Sequence, residues 1–518
     1  EEDCTRMVCT CGHTQSPPFC DGSHLSNKTA KKPSIGAASA NAQGQDCDDD
    51  SSQATELKEM KMPVRRVSAR VLRGTEGSIV AGFEPVKQVF SWMQDAQWST
   101  GSSCVAYHDG ECVVDLSGGE YGVNLLRPPP QLDSDGQLPM IPFTQHSVQL
   151  VASCSKVAES LVVALLVDRG LLGYEDRIAE HWPEFAEHHK AHITVRQLMM
   201  HQAGLAAPER VITPEYLLDP PRLQSLLASQ HTNWPVPDLS VGNKHWRHVT
   251  SPQAYHMATR GLYAGALVQR VDPQKRSLGT IFREEIALPL GLDFYIGNVP
   301  DQVMRDASPL HMADPVALAY VLGVPREDGK KPCENDQRVQ LHPWETKYVT
   351  DTFLEPESFA SRVTHAISLG QEPETIMAAL SKAELPSSSG VASCAAMGRL
   401  GALLIDGSLD GVTVLPNWAQ TKEQFFTTAD SYEEDQTFGT EVRFTQGGLA
   451  EFTVDNHSDA RVYGWGGGGG SMIYVQPELR MAMAFLTNSF GVRVAFADPR
   501  PRTLLASLFD SLLQNSAK

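Results

Sequence analysis

The sequence predicts an α+β fold, with one antiparallel sheet built from both ends of a large domain and a helical subdomain inserted between them. Three observations predict it. Alternating apolar residues occur early, at 103–119. Helix-like apolar segments fill the middle of the chain, and strand-like alternation returns late, at 471–487. Early and late strands with helices between them are typical of one sheet closed by two distant parts of the chain.

The individual elements follow in chain order. Residues 103–119 predict a hairpin that turns at Asp109-Gly110. Residues 154–172 predict a helix that is apolar on most faces and therefore buried. The further predicted helices lie at 195–200, 252–271, 279–287, 390–406 and, near the end, 502–514. The late strands are SMIYV and RMAMAFLT, joined by a turn at Gln476-Pro477-Glu478.

Changes in composition divide the chain into three parts. Residues 1–28 are a small cysteine-bearing module, and residues 80–518 are the large domain. Residues 29–79 between them are rich in Ser, Ala, Gln, Asn and Asp. Such a segment buries too little apolar surface to offset the entropy of ordering, so we expect a flexible linker.

The charge and cysteine content exclude several classes of protein. The formal net charge is −19, and no basic patch is visible, so nucleic acid is not an expected partner. No run of 18 uncharged apolar residues occurs, so no membrane span is predicted. The ten cysteines include three that crowd into residues 9–20, while the others are scattered. This favours a reducing intracellular compartment, with cytosol and mitochondrion both open.

The first module carries the stretch CTCGHTQSPPFCDGSH at 9–24. Its spacing C-x-C-x8-C-x3-H joins three thiolates and an imidazole, which suit either zinc or an iron–sulfur centre. The stretch resembles the CDGSH iron–sulfur proteins of the mitoNEET type, position by position. The resemblance implies a [2Fe–2S] cluster and a redox partner. The ligands that it implies are Cys9, Cys11, Cys20 and His24.

The large domain carries an S-x-x-K motif at the start of the predicted buried helix. Ser153 and Lys156 are three residues apart, so on a helix they share one face. A desolvated lysine has a lowered pKa and can accept a serine proton. The alternative is an ordinary helix start in which Ser153 is only a cap.

The surrounding blocks resemble the serine β-lactamases and penicillin-binding proteins, in their esterase-like branch. They include SVQLVASCSKVAESLVVALLVDRGLL, ITVRQLMMHQAGL and YGWGGGGGSMIYVQPELRMAMAFLTN, and the similarity extends over about residues 80–515. The resemblance implies the β-lactamase/transpeptidase-like fold. It also implies that Ser153 is the nucleophile and that Lys156 works with Tyr255 as an acid–base pair, the lysine supplying the charge that makes a phenol a useful base.

The remaining site residues are implied by the same resemblance. The backbone N–H groups of Ser153 and Gly468 would hold the oxyanion. The third family motif is usually Lys or His, any residue, then Gly; here it is Trp465-Gly466-Gly467. We expect Trp465 to offer an apolar wall to substrate in place of the cation that binds a β-lactam carboxylate. Met257 also stands where the family often has Asn.

The sequence therefore predicts a serine hydrolase that acts on small-molecule esters, and less on amides or β-lactams, through an acyl-serine intermediate. The alternative is an electron-transfer or redox-sensing iron–sulfur protein in which the hydrolase fold is an inactive scaffold. The CDGSH-like motif favours this alternative, as do the departures at Met257 and Trp465.

Overall fold

The structure is a computed structural model that describes residues 74–122, 139–238, 247, 251–312, 340–370, 373–491 and 493–516. The predicted cluster ligands Cys9, Cys11, Cys20 and His24 lie outside the described residues, as does nearly all of the predicted linker. The cluster therefore stays a prediction.

The strands of the described residues are numbered in chain order. They are β1 (Glu76–Ile79), β2 (Gly101–His108), β3 (Glu111–Gly122), β4 (Met140–Pro142), β5 (Val148–Ala152), β6 (Phe294–Tyr295), β7 (His311–Met312), β8 (Gly390–Ser393), β9 (Ser408–Leu409), β10 (Val412–Thr413), β11 (Glu433–Asp435), β12 (Thr440–Val442), β13 (Ala450–Val454), β14 (His457–Gly466), β15 (Met472–Gln476), β16 (Met481–Thr487) and β17 (Ser489–Phe490).

The α-helices are numbered in the same way. They are α1 (Glu84–Asp95), α2 (Ser155–Asp168), α3 (Ile178–His181), α4 (Val195–Met199), α5 (Pro214–Leu217), α6 (Pro220–Ala228), α7 (Thr259–Val271), α8 (Leu278–Ile281), α9 (Asp301–Asp306), α10 (Pro343–Phe353), α11 (Phe359–Thr364), α12 (Pro373–Lys382), α13 (Cys394–Asp406), α14 (Trp418–Phe426) and α15 (Pro499–Ser516). Shorter 3₁₀ segments at Pro183–His189 and Ala495–Ala497 and a π segment at Phe282–Ala287 complete the set.

The main sheet joins the two ends of the large domain. Its strand order is β1-β3-β2-β16-β15-β14-β13, with β4 paired to β3. Neighbouring strands are antiparallel throughout, and β2 pairs with β16 along its whole length, from His108 opposite Met481 to Ser102 opposite Thr487. This confirms the predicted α+β architecture.

The two faces of the sheet pack against different helices, and β16 shows why. Successive side chains of a strand point to opposite faces. Met481, Met483 and Phe485 lie in the core shared with α1 and α15, whereas Ala482 and Ala484 face the helical subdomain. These small residues let α13 approach closely, since a Cβ placed on Gly401 would lie 3.1 Å from the Cβ of Ala482.

A second, three-stranded sheet, ordered β5-β8-β6, lies at the start of the helical subdomain. Strand β5 leads through a two-residue turn into α2, so this sheet and this helix position Ser153 between them. Helix α2 is buried on nearly every face, as predicted. No helix of the described residues is both long enough and apolar enough to cross a membrane.

The structure confirms the early hairpin and corrects two helix boundaries. Asp109 and Gly110 both have positive φ, +51° and +81°, as a two-residue hairpin turn requires. The predicted helix 390–406 begins only at Cys394, because residues 390–393 pair with β5 and Ser393 caps the helix. The predicted helix 252–271 begins at Thr259, since the preceding residues around Tyr255 are not helical and end in a turn.

Candidate active site

Ser153 lies in a tight turn between β5 and α2 and is half-buried. Ala152, directly before it, has φ of +45°, a left-handed conformation that is uncommon for a residue with a side chain. The neighbouring Ser155 is turned away, because its hydroxyl donates to the Ala152 carbonyl and accepts from the N–H of Gly390. The turn therefore presents one serine hydroxyl, that of Ser153, to the site.

Lys156 is completely buried one turn into α2. Its Nζ donates to the carbonyl oxygens of Met257, at 2.5 Å, and Ser387, at 2.9 Å. Burial lowers the pKa of this amine well below its usual value, and the nearby Arg260 guanidinium lowers it further. A neutral amine has two N–H groups and one lone pair, so the two carbonyls account for both protons and leave the lone pair as an acceptor.

Tyr255 is buried beside them, and its hydroxyl lies 2.6 Å from Ser153 Oγ, to which it donates. The tyrosine ring is held between Phe438 and Trp465, with centroid distances of 5.1 and 5.2 Å. Lys156 Nζ lies 4.7 Å from the centroid of the same ring. The structure thus brings the three predicted catalytic residues together.

Burial shifts the pKa values of Tyr255 and Lys156 in opposite directions. Burial raises the pKa of the Tyr255 hydroxyl, and the hydrogen bond with Ser153 offsets this only in part. Burial lowers the pKa of Lys156 at the same time, so both shifts favour a neutral lysine beside a protonated tyrosine. These directions favour Lys156 over a tyrosinate as the base.

The backbone around Tyr255 is fixed by two buried histidines. The N–H of His256 donates to Nδ1 of His201 at 2.9 Å, and His256 Nδ1 donates to the carbonyl of Ala254. Burial lowers the pKa of His256 to about 3, so this ring is neutral at ordinary pH. Both rings therefore hold the tyrosine segment in place and carry no charge.

Gly468 lies at the tip of the loop between β14 and β15 and is exposed. A Cβ built on it would lie 3.9 Å from the Cβ of Ala152, so this loop lies close to the serine turn. Neither the N–H of Gly468 nor that of Ser153 has a hydrogen bond to another described residue. Two unpaired donors next to the serine fit the predicted oxyanion hole.

Gly467 and Trp465 make contacts within the protein at the positions where contact with substrate was predicted. The N–H of Gly467 is used within the loop, where it donates to Ser471. Trp465 is fully buried, and its indole N–H donates to the carbonyl of Gly448 at 2.8 Å. Its ring is covered by Tyr255, so it supports the tyrosine from behind and does not form the expected apolar wall.

Sequence reasoning missed two buried charged residues beside this group, Glu159 and Arg260. They form an ion pair at 2.7 Å with no exposure of either side chain. An acidic residue in the middle of the apolar helix sequence SKVAESLVVALLVD was the signal for Glu159. Arg260 had no comparable signal, because its partner lies 101 residues away in the chain.

Comparison with known proteins shows to which family a chain with this arrangement belongs. Residues 86–507 match the family model described as Beta-lactamase. The chain belongs to the Beta-lactamase family. This agrees with the predicted serine hydrolase domain, and the matched residues leave out the first module.

The "Esterase/beta-lactamase LipL" of Mycobacterium tuberculosis is 29% identical over 335 residues, which cover 64% of this chain and 65% of LipL. The match thus spans slightly less than two thirds of that relative.

Among solved structures, a penicillin-binding protein homologue from Caulobacter crescentus superposes with a TM-score of 0.62 at 25% identity. A family VIII carboxylesterase superposes with a TM-score of 0.61 at 23% identity. Each alignment covers 84% of this chain and 99% of the other. The second likeness shows the fold alone.

Within the described residues, no group of three or more His, Cys, Asp or Glu side chains is arranged to hold a metal ion. The site built around Ser153 consists of hydroxyl, amine and backbone groups. Such groups can transfer protons, form a covalent bond to an acyl carbon and stabilise an oxyanion.

Proposed function

We propose that this domain hydrolyses esters through an acyl-serine intermediate on Ser153. One observation carries the proposal: the Tyr255 hydroxyl lies 2.6 Å from Ser153 Oγ, with the buried amine of Lys156 behind it. A nucleophile in hydrogen-bond contact with an acid–base group, which is itself fixed by packing, is the arrangement that acyl transfer needs.

In the acylation step, Ser153 Oγ attacks the ester carbonyl carbon and loses its proton. The proton reaches Lys156 through Tyr255, whose hydroxyl turns its own proton from Ser153 to the amine and accepts the serine proton in its place. The carbonyl oxygen becomes an oxyanion, held by the N–H groups of Ser153 and Gly468. The tetrahedral intermediate then expels the alcohol oxygen, which takes a proton back from the same relay.

Deacylation repeats this chemistry with water. The relay has returned to neutral Lys156 and protonated Tyr255, so it can accept a proton from a water that attacks the acyl carbon. The oxyanion forms again between the same two N–H groups, and Ser153 leaves with the proton returned to Oγ. The acid product departs, and the site regains its starting protonation state.

The choice of esters over β-lactams rests on two positions. Trp465 stands where a cation would bind the β-lactam carboxylate, and its buried ring offers no positive charge. At Met257 the backbone carbonyl is used to hold Lys156, and the side chain lacks an amide that would orient substrate. The name of LipL couples esterase with β-lactamase, so it supports both chemistries without ranking them.

The experiment compares Ser153→Ala with the matched variant Ser155→Ala. Both are tested with chromogenic short-chain esters, a chromogenic β-lactam and a fluorophosphonate probe that labels reactive serines. We expect Ser153→Ala to lose turnover and labelling, and Ser155→Ala to keep labelling because its hydroxyl bonds only backbone groups. Unchanged turnover in Ser153→Ala contradicts the proposal, and a faster β-lactam rate reverses the substrate order.

We further propose that the first module holds a [2Fe–2S] cluster on Cys9, Cys11, Cys20 and His24. The support is the motif spacing and its resemblance to the CDGSH proteins. The purified full chain should show visible absorption bands that bleach on reduction and fade in acid, as the histidine ligand protonates. A colourless protein that contains zinc would contradict this. Equal ester rates in oxidised and reduced protein would exclude coupling to the hydrolase.

A further inference from the structure

Glu159 and Arg260 form a completely buried ion pair at the centre of the helical subdomain. Glu159 lies on α2 and Arg260 on α7, and Arg260 Nε donates to Glu159 Oε1 at 2.7 Å. Burying two charges is costly, and apolar replacements of such pairs are often equally stable. Stability alone is therefore a weak reason for a charged pair in this position.

The guanidinium of Arg260 connects the elements that surround the catalytic group. Its Nη1 donates to the carbonyl of Gly448 at 2.6 Å, and the same carbonyl accepts the indole N–H of Trp465. It also reaches the carbonyl of Met199 and the hydroxyl of Ser160. One side chain thus ties α2, α4 and the loop before β13 to the tryptophan that supports Tyr255.

Glu159 connects to Lys156 by a second route. Its Oε2 accepts from the Ser387 hydroxyl at 2.6 Å, and that hydroxyl accepts from the N–H of Gly261. The carbonyl of the same Ser387 accepts from Lys156 Nζ at 2.9 Å. Glu159 also lies three residues after Lys156, so both side chains share one face of α2.

We propose that Glu159 and Arg260 are positioning residues that hold Lys156 in place and that balance each other's charge at its amine. This inference rests on the proposed function, since it concerns the base of the same site. It assigns the pair a task in catalysis that acts through Lys156, without contact with substrate.

The charges that face Lys156 determine in which direction its pKa should shift when one of them is removed. The surrounding titratable groups are Glu159 and Cys154 from its own helix start, Arg260 and Tyr255 from the α7 side, and the neutral His201 and His256. After burial, the largest influence on the pKa of Lys156 is Arg260, which lowers it, while Glu159 raises it. Removing either charge leaves the other uncompensated in a buried site.

The test measures the rate of Ser153 labelling by a fluorophosphonate probe between pH 5 and 9, since this rate falls on the acid side as Lys156 protonates. The part of the pH profile in which the labelling rate falls towards acid is called the acid limb. Arg260→Met leaves the Glu159 carboxylate, so we expect the acid limb to move to higher pH by about one pH unit or more. Glu159→Gln leaves the Arg260 cation, so the limb should move down. The double variant should return near the wild-type position, because neither charge remains.

The matched control is Arg493→Met, which breaks another buried ion pair, with Glu345. It should lower thermal stability without moving the limb. Limbs that stay in place in both single variants, or that move in the same direction, overturn the inference and leave the pair a structural feature. If Arg260→Met does not fold, Glu159→Gln decides alone, and an unchanged or raised limb overturns it. A wild-type protein without labelling or ester turnover would instead contradict the proposed function.

Discussion

Replacing Tyr255 with phenylalanine removes the one hydroxyl that lies within hydrogen-bond distance of Ser153 Oγ among the described residues, at 2.6 Å. The ring itself should stay in place. It lies between Phe438 and Trp465, with interplanar angles of 21° and 25°, and these contacts do not involve the hydroxyl. Tyr255→Phe therefore separates proton transfer from packing.

The size of the effect follows from the role of the hydroxyl. Positioned acid–base groups typically contribute about 10²–10⁴-fold to a rate, which corresponds to roughly 3–5 kcal/mol of transition-state stabilisation. Loss of the hydrogen bond itself changes folding stability by only about 1 kcal/mol. We thus expect kcat to fall by about 10²-fold or more, with a small change in thermal stability.

The assay is steady-state hydrolysis of a chromogenic ester, together with thermal unfolding. The control is Tyr263→Phe, because Tyr263 is also fully buried and its hydroxyl donates to a single backbone carbonyl, that of Leu227. The control should show the same small loss of stability and a nearly unchanged kcat. A kcat for Tyr255→Phe within about threefold of the wild type would refute the reasoning.

Three further predictions concern neighbouring groups. Lys156→Met should reduce ester turnover by about 10²-fold or more while the protein still folds, since the buried amine is replaced by an apolar group of similar length; steady-state kinetics and circular dichroism check this. Burial raises the pKa of Asp435 to about 6, above its unfolded value, so the wild type loses stability as pH rises through this range. Asp435→Asn should therefore compare more favourably with the wild type at pH 8 than at pH 5, by about 1.4 kcal/mol in denaturant unfolding, because only about one pKa unit of the shift lies above pH 5. A constant difference would contradict this. Gly467→Ala should unfold at a clearly lower temperature than the wild type, because the new Cβ would lie 2.2 Å from the carbonyl oxygen of Val151. The control Gly468→Ala should unfold near the wild-type temperature, because its new Cβ makes only an ordinary contact at 3.9 Å. Equal melting temperatures of the two variants would contradict the geometry of the loop.

Local patterns predicted the architecture well. The Asp109-Gly110 pair predicted the hairpin, and the apolar run after Ser153 predicted the buried helix α2. Each of these signals is contained in a short segment of the chain, where local patterns can be detected. The spacing of Ser153 and Lys156 is likewise local. Tyr255 came from resemblance to a family, since nothing in its own neighbourhood distinguishes it from an ordinary buried tyrosine.

The features that sequence reasoning misplaced depend on distant parts of the chain. Helix α7 begins late because the Met257 carbonyl holds Lys156 and Gln253 pairs with Asp435, and both contacts keep this segment out of the helix. Trp465 is buried because Gly448 supplies an acceptor for its N–H. Neither partner could be identified from local periodicity, which describes a segment and not what packs against it.

The sheet that joins both ends of the domain also has a consequence for synthesis. The hydroxyl of Ser99, just before β2, contacts that of Thr487 on β16, 388 residues later. At about 5–20 residues per second, a ribosome needs roughly 20–80 s to make the intervening chain. During this time the edge of β2 that later pairs with β16 is a free strand edge, open to pairing with another chain. The early hairpin therefore keeps one unpaired edge until the last strands of the domain emerge.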